Sequence, residues 1–282
     1  MGELNPFGAF LDSMVESQLA NQIEAGDYKG EDGLLYCGNC HTPKQYVVAN
    51  WYDNTSKVVP IRCKCVDERM QRDKDRETKA RLRERSNIEK KFLTCTFNDL
   101  EIDENNQRAI KICKRYVDGF DEHYKNNQGL LLYGPVGTGK SVLAHCVANE
   151  LIERLHSAAS ISLAKLLDSG FMNNEEEAKV MNLVRYSKLL IVDDLGAERS
   201  TDYAQQFVYS VLDTRCNTEK PMIITTNLTL AEMQNCKDLK YKRIYDRILE
   251  ICYPIELAGV SRRMRNAAKR YDKVTQMLEG SD

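Results

Sequence analysis

No stretch of this 282-residue chain approaches 18 uninterrupted apolar residues, which excludes a membrane-spanning helix. The N-terminal stretch MGELNPFGAFLDSMVESQLA lacks the basic start and apolar segment of a secretion signal, so a cytoplasmic protein is expected. A strong charge of one sign is also missing. The formal net charge is −2, which excludes a bulk polycation that coats nucleic acid along its whole surface. Internal repeats and low-complexity tracts are absent. What is present, 42% hydrophobic and 29% charged residues, suits a real core, and the length allows one sizeable domain plus a small one.

Ten cysteines are present, and their grouping argues against a disulfide framework. Cys37 and Cys40 form a C-x2-C pair, and Cys63 and Cys65 a C-x-C pair after a 22-residue gap. The other six are scattered among apolar or charged neighbours, which fits a reducing compartment with one metal site. Two turns presenting four thiolates can close a tetrahedral Zn2+ site and stabilise a segment too short to build a core. His41 could substitute for one ligand. Between the pairs, QYVVANWYDNTSKVVPI alternates as a hairpin does, so a zinc ribbon is expected. Tyr46, Trp51 and Tyr52 belong either to a small core or to a partner surface.

Three parts follow along the chain. Residues 1–65 carry a short amphipathic stretch (Phe7, Phe10, Leu11, Met14, Val15) and the cysteine module. Residues 66–91 hold ten basic and seven acidic residues at mixed helical spacings, as an exposed helix or linker would. Residues 92–282 change to short apolar runs, GLLLY (129–133), AASIS (158–162), KLLIVDD (188–194), PMIITTN (221–227) and CYPIEL (252–257), separated by segments of helical length. Strands apolar on both faces that alternate with helices predict an α/β fold with a parallel sheet covered by helices.

The motif GPVGTGKS matches G-x-x-x-x-G-K-[ST], with a buried-looking strand before it and a helix after it. Gly134, Gly137 and Gly139 let successive N–H groups point at one anion, with Pro135, Val136 and Thr138 completing the loop. The following helix adds its positive end. Lys140 is expected to reach the β- and γ-phosphates of ATP, and Ser141 to donate its oxygen to Mg2+. The run LLIVDDLGAE stops at two aspartates. Asp193 is expected to serve Mg2+ opposite Ser141, and Asp194 to aim at the water that attacks the γ-phosphate. Aspartate is one methylene shorter than the glutamate usual at the second position, so slow hydrolysis is expected.

Asn227, at the tip of a strand next to the loop strand, can hydrogen-bond the γ-phosphate or the attacking water, or simply cap the strand. Arg243 and Arg247 fall four residues apart on a probable helix. Either can neutralise transition-state charge across a subunit boundary, or pair with Asp246 or Glu250 on its own helix. Arg262 and Arg263 lie where the returning chain can touch phosphate. Residues 237–273 hold eleven basic against five acidic residues, which is either a phosphate-tracking surface or a solvated helical face.

Together, FLTCTFNDL, GLLLYGPVGTGKS, LLIVDDLGAE, PMIITTNL, RIYDRILEIC and GVSRR resemble AAA+ P-loop ATPases of the DnaC/DnaI helicase-loader group, and are similar to the IstB transposition ATPases, over about residues 92–265. DDLGAE is closest to the DnaI-like and phage-loader branch, where paired aspartates are usual. The resemblance implies that Asn227 is sensor 1, Arg247 the arginine finger with Arg243 as rival, and Arg263 a sensor-2-like arginine. After GVSRR little sequence is left for the helical lid domain of many AAA+ proteins. The partners it implies are the hexameric replicative DNA helicase, docked through the zinc-binding N-terminal part, single-stranded DNA, and further copies assembled through the ATP sites. A slow switch that loads the helicase is therefore expected. An IstB-like transposition ATPase and a non-hydrolysing ATP-dependent adaptor are the alternatives.

Overall fold

The computed structural model describes residues 23–50, 55–168, 173–197 and 201–279. The apolar residues at 7–15, together with Trp51 and Tyr52, lie outside them. Met1–Glu77 and Thr78–Asp282 form two compact units. Among the described residues no helix is long and apolar enough to cross a membrane.

The first unit is built from two small antiparallel sheets. Strands β1 (Tyr28–Lys29) and β2 (Leu35–Tyr36) pair with each other, and β3 (Gln45–Asn50) pairs with β4 (Thr55–Pro60) as the alternation predicts. Helix α1 (Lys64–Arg85) follows and has no buried residue, in keeping with its mixed charges.

In the second unit five strands form one parallel sheet in the order β6-β7-β8-β5-β9. They are β5 (Gly129–Tyr133), β6 (Ala158–Ser162), β7 (Leu189–Leu195), β8 (Met222–Thr226) and β9 (Cys252–Glu256). Each lies on an apolar run of the sequence. Because side chains alternate across a strand, the runs feed two cores at once. Leu130, Leu132, Leu189 and Ile191 face one core, while Leu131, Leu190 and Val192 face the other.

The first core is closed by α2 (Gln107–Asp118), α3 (Phe120–Lys125) and α4 (Lys140–Glu153). The second is closed by α6 (Asn174–Tyr186), α7 (Asp202–Asn217) and α9 (Leu239–Ile251), with α5 (Leu163–Asp168) and α8 (Leu230–Gln234) beside them. Helix α10 (Arg262–Glu279) follows β9.

Strand β5 lies between β8 and β9, and the chain leaves it first toward one edge of the sheet and later toward the other. Such a switch point opens a crevice beyond the carboxyl ends of the strands. Behind it, Arg215 of α7 is fully buried. Its Nη1 donates to Val184 O and Ser187 O (both 2.8 Å) and its Nη2 to Lys188 O and Pro221 O (2.9 and 2.6 Å). One guanidinium thereby fastens the end of α6 to the starts of β7 and β8.

Candidate nucleotide site and cysteine cluster

The loop between β5 and α4 borders a cavity of about 650 Å³. Val136, Gly137, Thr138, Gly139, Lys140 and Ser141 line it from the loop, and Asp194, Asn227 and Arg263 from elsewhere in the chain. Six of the residues expected to serve phosphate and three expected to act on it therefore converge on one space. Gly134 and Pro135 sit just behind, where their carbonyl oxygens accept from Lys140 Nζ at 2.8 and 2.7 Å. Lys140 gives its third proton to Asn227 Oδ1 at 2.8 Å. Burial lowers the Lys140 pKa, against the pull of Asp194 and Asp193.

Two of the loop glycines have a further reason to be glycine. Gly134 and Gly137 have φ of +135° and +82°. A Cβ on Gly134 would meet Leu257 O at 2.4 Å, and one on Gly137 would meet Ser261 Oγ at 2.1 Å. The segment 257–262 crosses directly over the loop, and Arg262 N–H donates to Gly137 O at 2.9 Å. Only a residue without a side chain leaves room for that crossing.

The acidic pair divides its work. Asp193 is buried, and Thr225 Oγ1 donates to its Oδ1 at 2.7 Å. Asp194 is the one that reaches the cavity, and it does so in the left-handed region at φ +57°. The register between β7 and β8 shifts between Val192 and Leu195, so a bulge re-aims the second carboxylate. The same Thr225 hydroxyl accepts the Asp194 N–H at 2.9 Å, and Thr226 Oγ1 donates to Leu195 O at 2.8 Å. Burial raises the Asp194 pKa and the neighbouring Asp193 adds to the rise, while Lys140 and Arg263 oppose it. A carboxylate so placed is suited to orient a water and hold its proton.

The two arginines at the start of α10 are also distinguished. Arg262 Nη1 donates to Glu101 O and its Nη2 to Asp103 Oδ2, both at 2.6 Å. Burial works to raise the Asp103 pKa, yet Arg262 and Arg265 hold it below the usual carboxylate value. Both arginines line the cavity, but Arg262 is tied to Glu101 and Asp103, which leaves the exposed Arg263 the freer of the two to meet a phosphate. Arg247 does not line the cavity. It pairs with Asp213 of α7, a partner on another helix in place of the expected Asp246 or Glu250.

Opposite the acidic pair, Phe92 and Leu100 line the cavity on the side of the segment that leads into α2. Phe92 stacks on His145 (centroids 4.1 Å, 13° between planes), and Asn149 Nδ2 donates to Phe92 O and Cys95 O, both at 2.8 Å. Sequence reasoning singled out none of Thr225, Thr226, His145 or Asn149. The two threonines carry a signal in retrospect, since hydroxyls at the end of β8 stand beside the DD end of β7.

In the first unit the sulfurs of Cys37, Cys40, Cys63 and Cys65 all lie within 4.8 Å of one another. Cys37 Sγ is 3.6 Å and Cys63 Sγ 3.4 Å from Cys65 Sγ. Tetrahedral Zn2+ with bonds of about 2.3 Å spaces its sulfurs by about 3.8 Å, so this donor set fits the ion. The Thr42 hydroxyl, helped by backbone N–H groups, draws Cys40 down to about 5. Backbone N–H groups of Cys40 and Asn39 lower Cys37, whereas the Cys63 and Cys37 sulfurs push Cys65 up to about 12. Four crowded thiols cannot all ionise unless a cation offsets the repulsion. His41 stands apart from the cluster, with Nδ1 3.3 Å from Tyr28 Oη.

Residues 63–270 match the family described as IstB-like ATP binding protein. The chain is 27% identical to the replicative helicase loader DnaI of Bacillus subtilis over 192 residues, 62% of this chain and 60% of that protein. It is 27% identical to the replicative helicase loader DnaC of Escherichia coli K12 over 169 residues, 58% of this chain and 66% of that one. The matches thus span about three-fifths to two-thirds of those relatives. Among solved structures, a crystal structure of DnaI superposes with a TM-score of 0.51 at 26% identity, covering 62% of this chain and 94% of that one. A crystal structure of the DnaC helicase loader shares the fold at a TM-score of 0.50 and 22% identity, covering 60% and 100%. Those relatives, the P-loop cavity and the five-stranded parallel sheet agree with the resemblance drawn from the motifs. The chain belongs to the IstB-like ATP binding proteins, and its parallel-sheet domain has the P-loop fold seen in DnaI and DnaC.

Proposed function

We propose that this chain is an ATP-dependent loader of the replicative DNA helicase onto single-stranded DNA, with slow hydrolysis as its timing switch. The observation that carries the proposal is the convergence of Lys140, Asp194, Asn227 and Arg263 on one cavity in a chain whose relatives are named helicase loaders. Mg2+ would supply charge neutralisation at the β- and γ-phosphates, held by the Ser141 hydroxyl, with the buried Asp193 carboxylate acting from behind the cavity wall.

The protein's own groups do the rest. Backbone N–H groups of residues 136–139 cradle the phosphates. Lys140 exchanges its bonds to Gly134 O and Pro135 O for phosphate oxygens, and Asn227 senses the γ-phosphate. Asp194 orients the attacking water and accepts its proton. Arg263 faces the phosphates from α10, and Arg247 acts on the site of a neighbouring copy, so that assembly goes through the ATP sites. The cysteine module, residues 1–65 with its zinc, docks the helicase. The charged helix at 66–91 links it to the ATPase domain at 92–282, and the basic excess at 237–273 tracks single-stranded DNA.

The test is capture of the replicative helicase of the same source, with ATP and with ADP, beside ATP binding by the Lys140→Ala variant. Nucleotide-dependent capture and a loss of binding are expected. Recovery of a transposase in place of the helicase would redirect the reading to transposition. Unchanged ATP binding by the variant would remove the cavity from it, and absence of turnover with and without single-stranded DNA would leave a non-hydrolysing adaptor.

A further inference from the structure

Arg247 is held by a neighbour whose own geometry is fixed. Its Nη1 donates to Asp213 Oδ1 across the packing of α9 on α7. The other carboxylate oxygen, Oδ2, accepts Asn217 Nδ2 at 2.9 Å one turn further along α7. Asp213 is thereby locked at both oxygens, and it touches the guanidinium at one corner only. The Arg247 side chain is 41% exposed, against 30% for Asp213. The Cys216 thiol, also on α7, makes a second, weak contact with the same guanidinium. A guanidinium has five N–H donors in a rigid plane, so these two contacts from one helix set the direction of the remaining donors without using them. Arg243, one turn earlier, is exposed and has no ion pair among the described residues, so nothing there sets its direction.

A carboxylate beside an arginine can do one of two things. It can sequester the charge, which calls for a bidentate, buried pair that takes up both ends of the fork. Or it can aim the charge, which calls for anchored contact from one side and open N–H groups on the far side. The contacts from one helix, the second anchor from Asn217 and the exposure of Arg247 correspond to the second arrangement. We propose that Asp213 is a positioning residue, which orients Arg247 toward the γ-phosphate bound by an adjacent copy of this chain. The inference rests on the reading of Arg247 as a group that acts in trans.

Mixed assemblies separate the two claims. Arg247→Ala supplies a copy that binds ATP and lacks the arginine. Asp194→Asn supplies a copy that keeps the arginine and cannot hydrolyse. Neither is expected to turn over alone, and their mixture is expected to recover hydrolysis at the Arg247→Ala copies. If Arg247→Ala alone retains turnover, or if the mixture stays silent, the trans role of Arg247 falls and the positioning role of Asp213 falls with it, before any Asp213 variant is made.

Once recovery is seen, Asp213→Ala is added to the Asp194→Asn copy. We expect kcat of the mixture to fall by roughly tenfold to a hundredfold, the scale of losing orientation at a reacting centre, with KM for ATP unchanged. KM stays because the cavity that binds ATP belongs to the other copy. Asp213→Asn keeps the shape and one acceptor, and should fall between; Asp213→Glu should recover part of the loss. Light scattering and a thermal melt on the same samples exclude lost assembly or lost folding as the cause. An unchanged kcat overturns the inference, as does a gain in rate, which would make Asp213 a restraint. A fall that tracks lost assembly overturns it equally.

Discussion

The two units of this chain are held together by different means. In the second, buried aliphatic side chains on both faces of a five-stranded sheet supply the order, and buried polar groups such as Arg215, whose two Nη atoms donate to four backbone carbonyls, are exceptions. In the first, the buried residues among those described are little more than Leu35, Cys37, Cys63 and Lys44. A segment of that size cannot bury enough apolar surface to offset its lost chain entropy. The four thiols and the Asp27–Lys44 pair stand where a core would be. Burial thus fixes the unit that holds the P-loop cavity, whereas four crowded thiols and one charged pair take the place of a core in the other.

The sharpest way to break that comparison is to deny the four thiols the zinc that they fit. Structural zinc in small domains is worth about 10–16 kcal/mol. Chelation, or Cys63→Ser, is therefore expected to unfold the first unit while the second keeps its melting transition. The chain's single tryptophan, Trp51, lies within the first unit's sequence, so its fluorescence follows one unit and calorimetry follows both. Loss of both transitions together would show that the units do not stand on separate footings.

The converse change is Arg215→Met, which keeps length and removes the charge. Four carbonyl oxygens lose a charged donor, at a cost on the order of 3–5 kcal/mol. The melting temperature of the second unit is expected to drop while zinc content and Trp51 emission stay as they were. A neutral outcome would mean that burial alone is enough in the second unit.

The comparison also explains what could be read from the sequence. Each strand of the sheet was visible as an apolar run, because burial on both faces leaves a local signature. The P-loop and the paired cysteines were visible because phosphate and metal demand fixed residue types at fixed spacing. Hidden were the features that depend on register between distant segments. Thr225 meets Asp193 and Asp194 across 31 to 32 positions, through a bulge with no local signal. The sequence offers Arg247 the partners Asp246 and Glu250 on its own helix as the alternative to a role across a subunit boundary, and it reaches Asp213 because α9 packs on α7. Choosing between Arg262 and Arg263 needed Asp103, which lies about 160 residues earlier.

The smallest expected effect concerns charge inside the first unit. Asp27 accepts from Lys44 Nζ at 2.7 Å, from Glu24 N–H at 2.8 Å and from Gly38 N–H at 3.1 Å. These bonds, Lys44 first, bring its pKa down from 3.8 to about 2. A carboxyl whose folded pKa is lowered adds stability above its unfolded pKa and loses it as pH falls through the folded value. The contribution of Asp27 is therefore complete above about pH 5 and is lost as pH falls through about 2. Asp27→Asn should weaken the first unit at pH 7, by less than loss of a thiol does. At pH 7, zinc release to a colorimetric chelator should be faster from Asp27→Asn than from the parent, with Asp27→Glu, which keeps the charge, between them. Equal release by Asp27→Asn and the parent would mean that the charge has no part in holding the first unit.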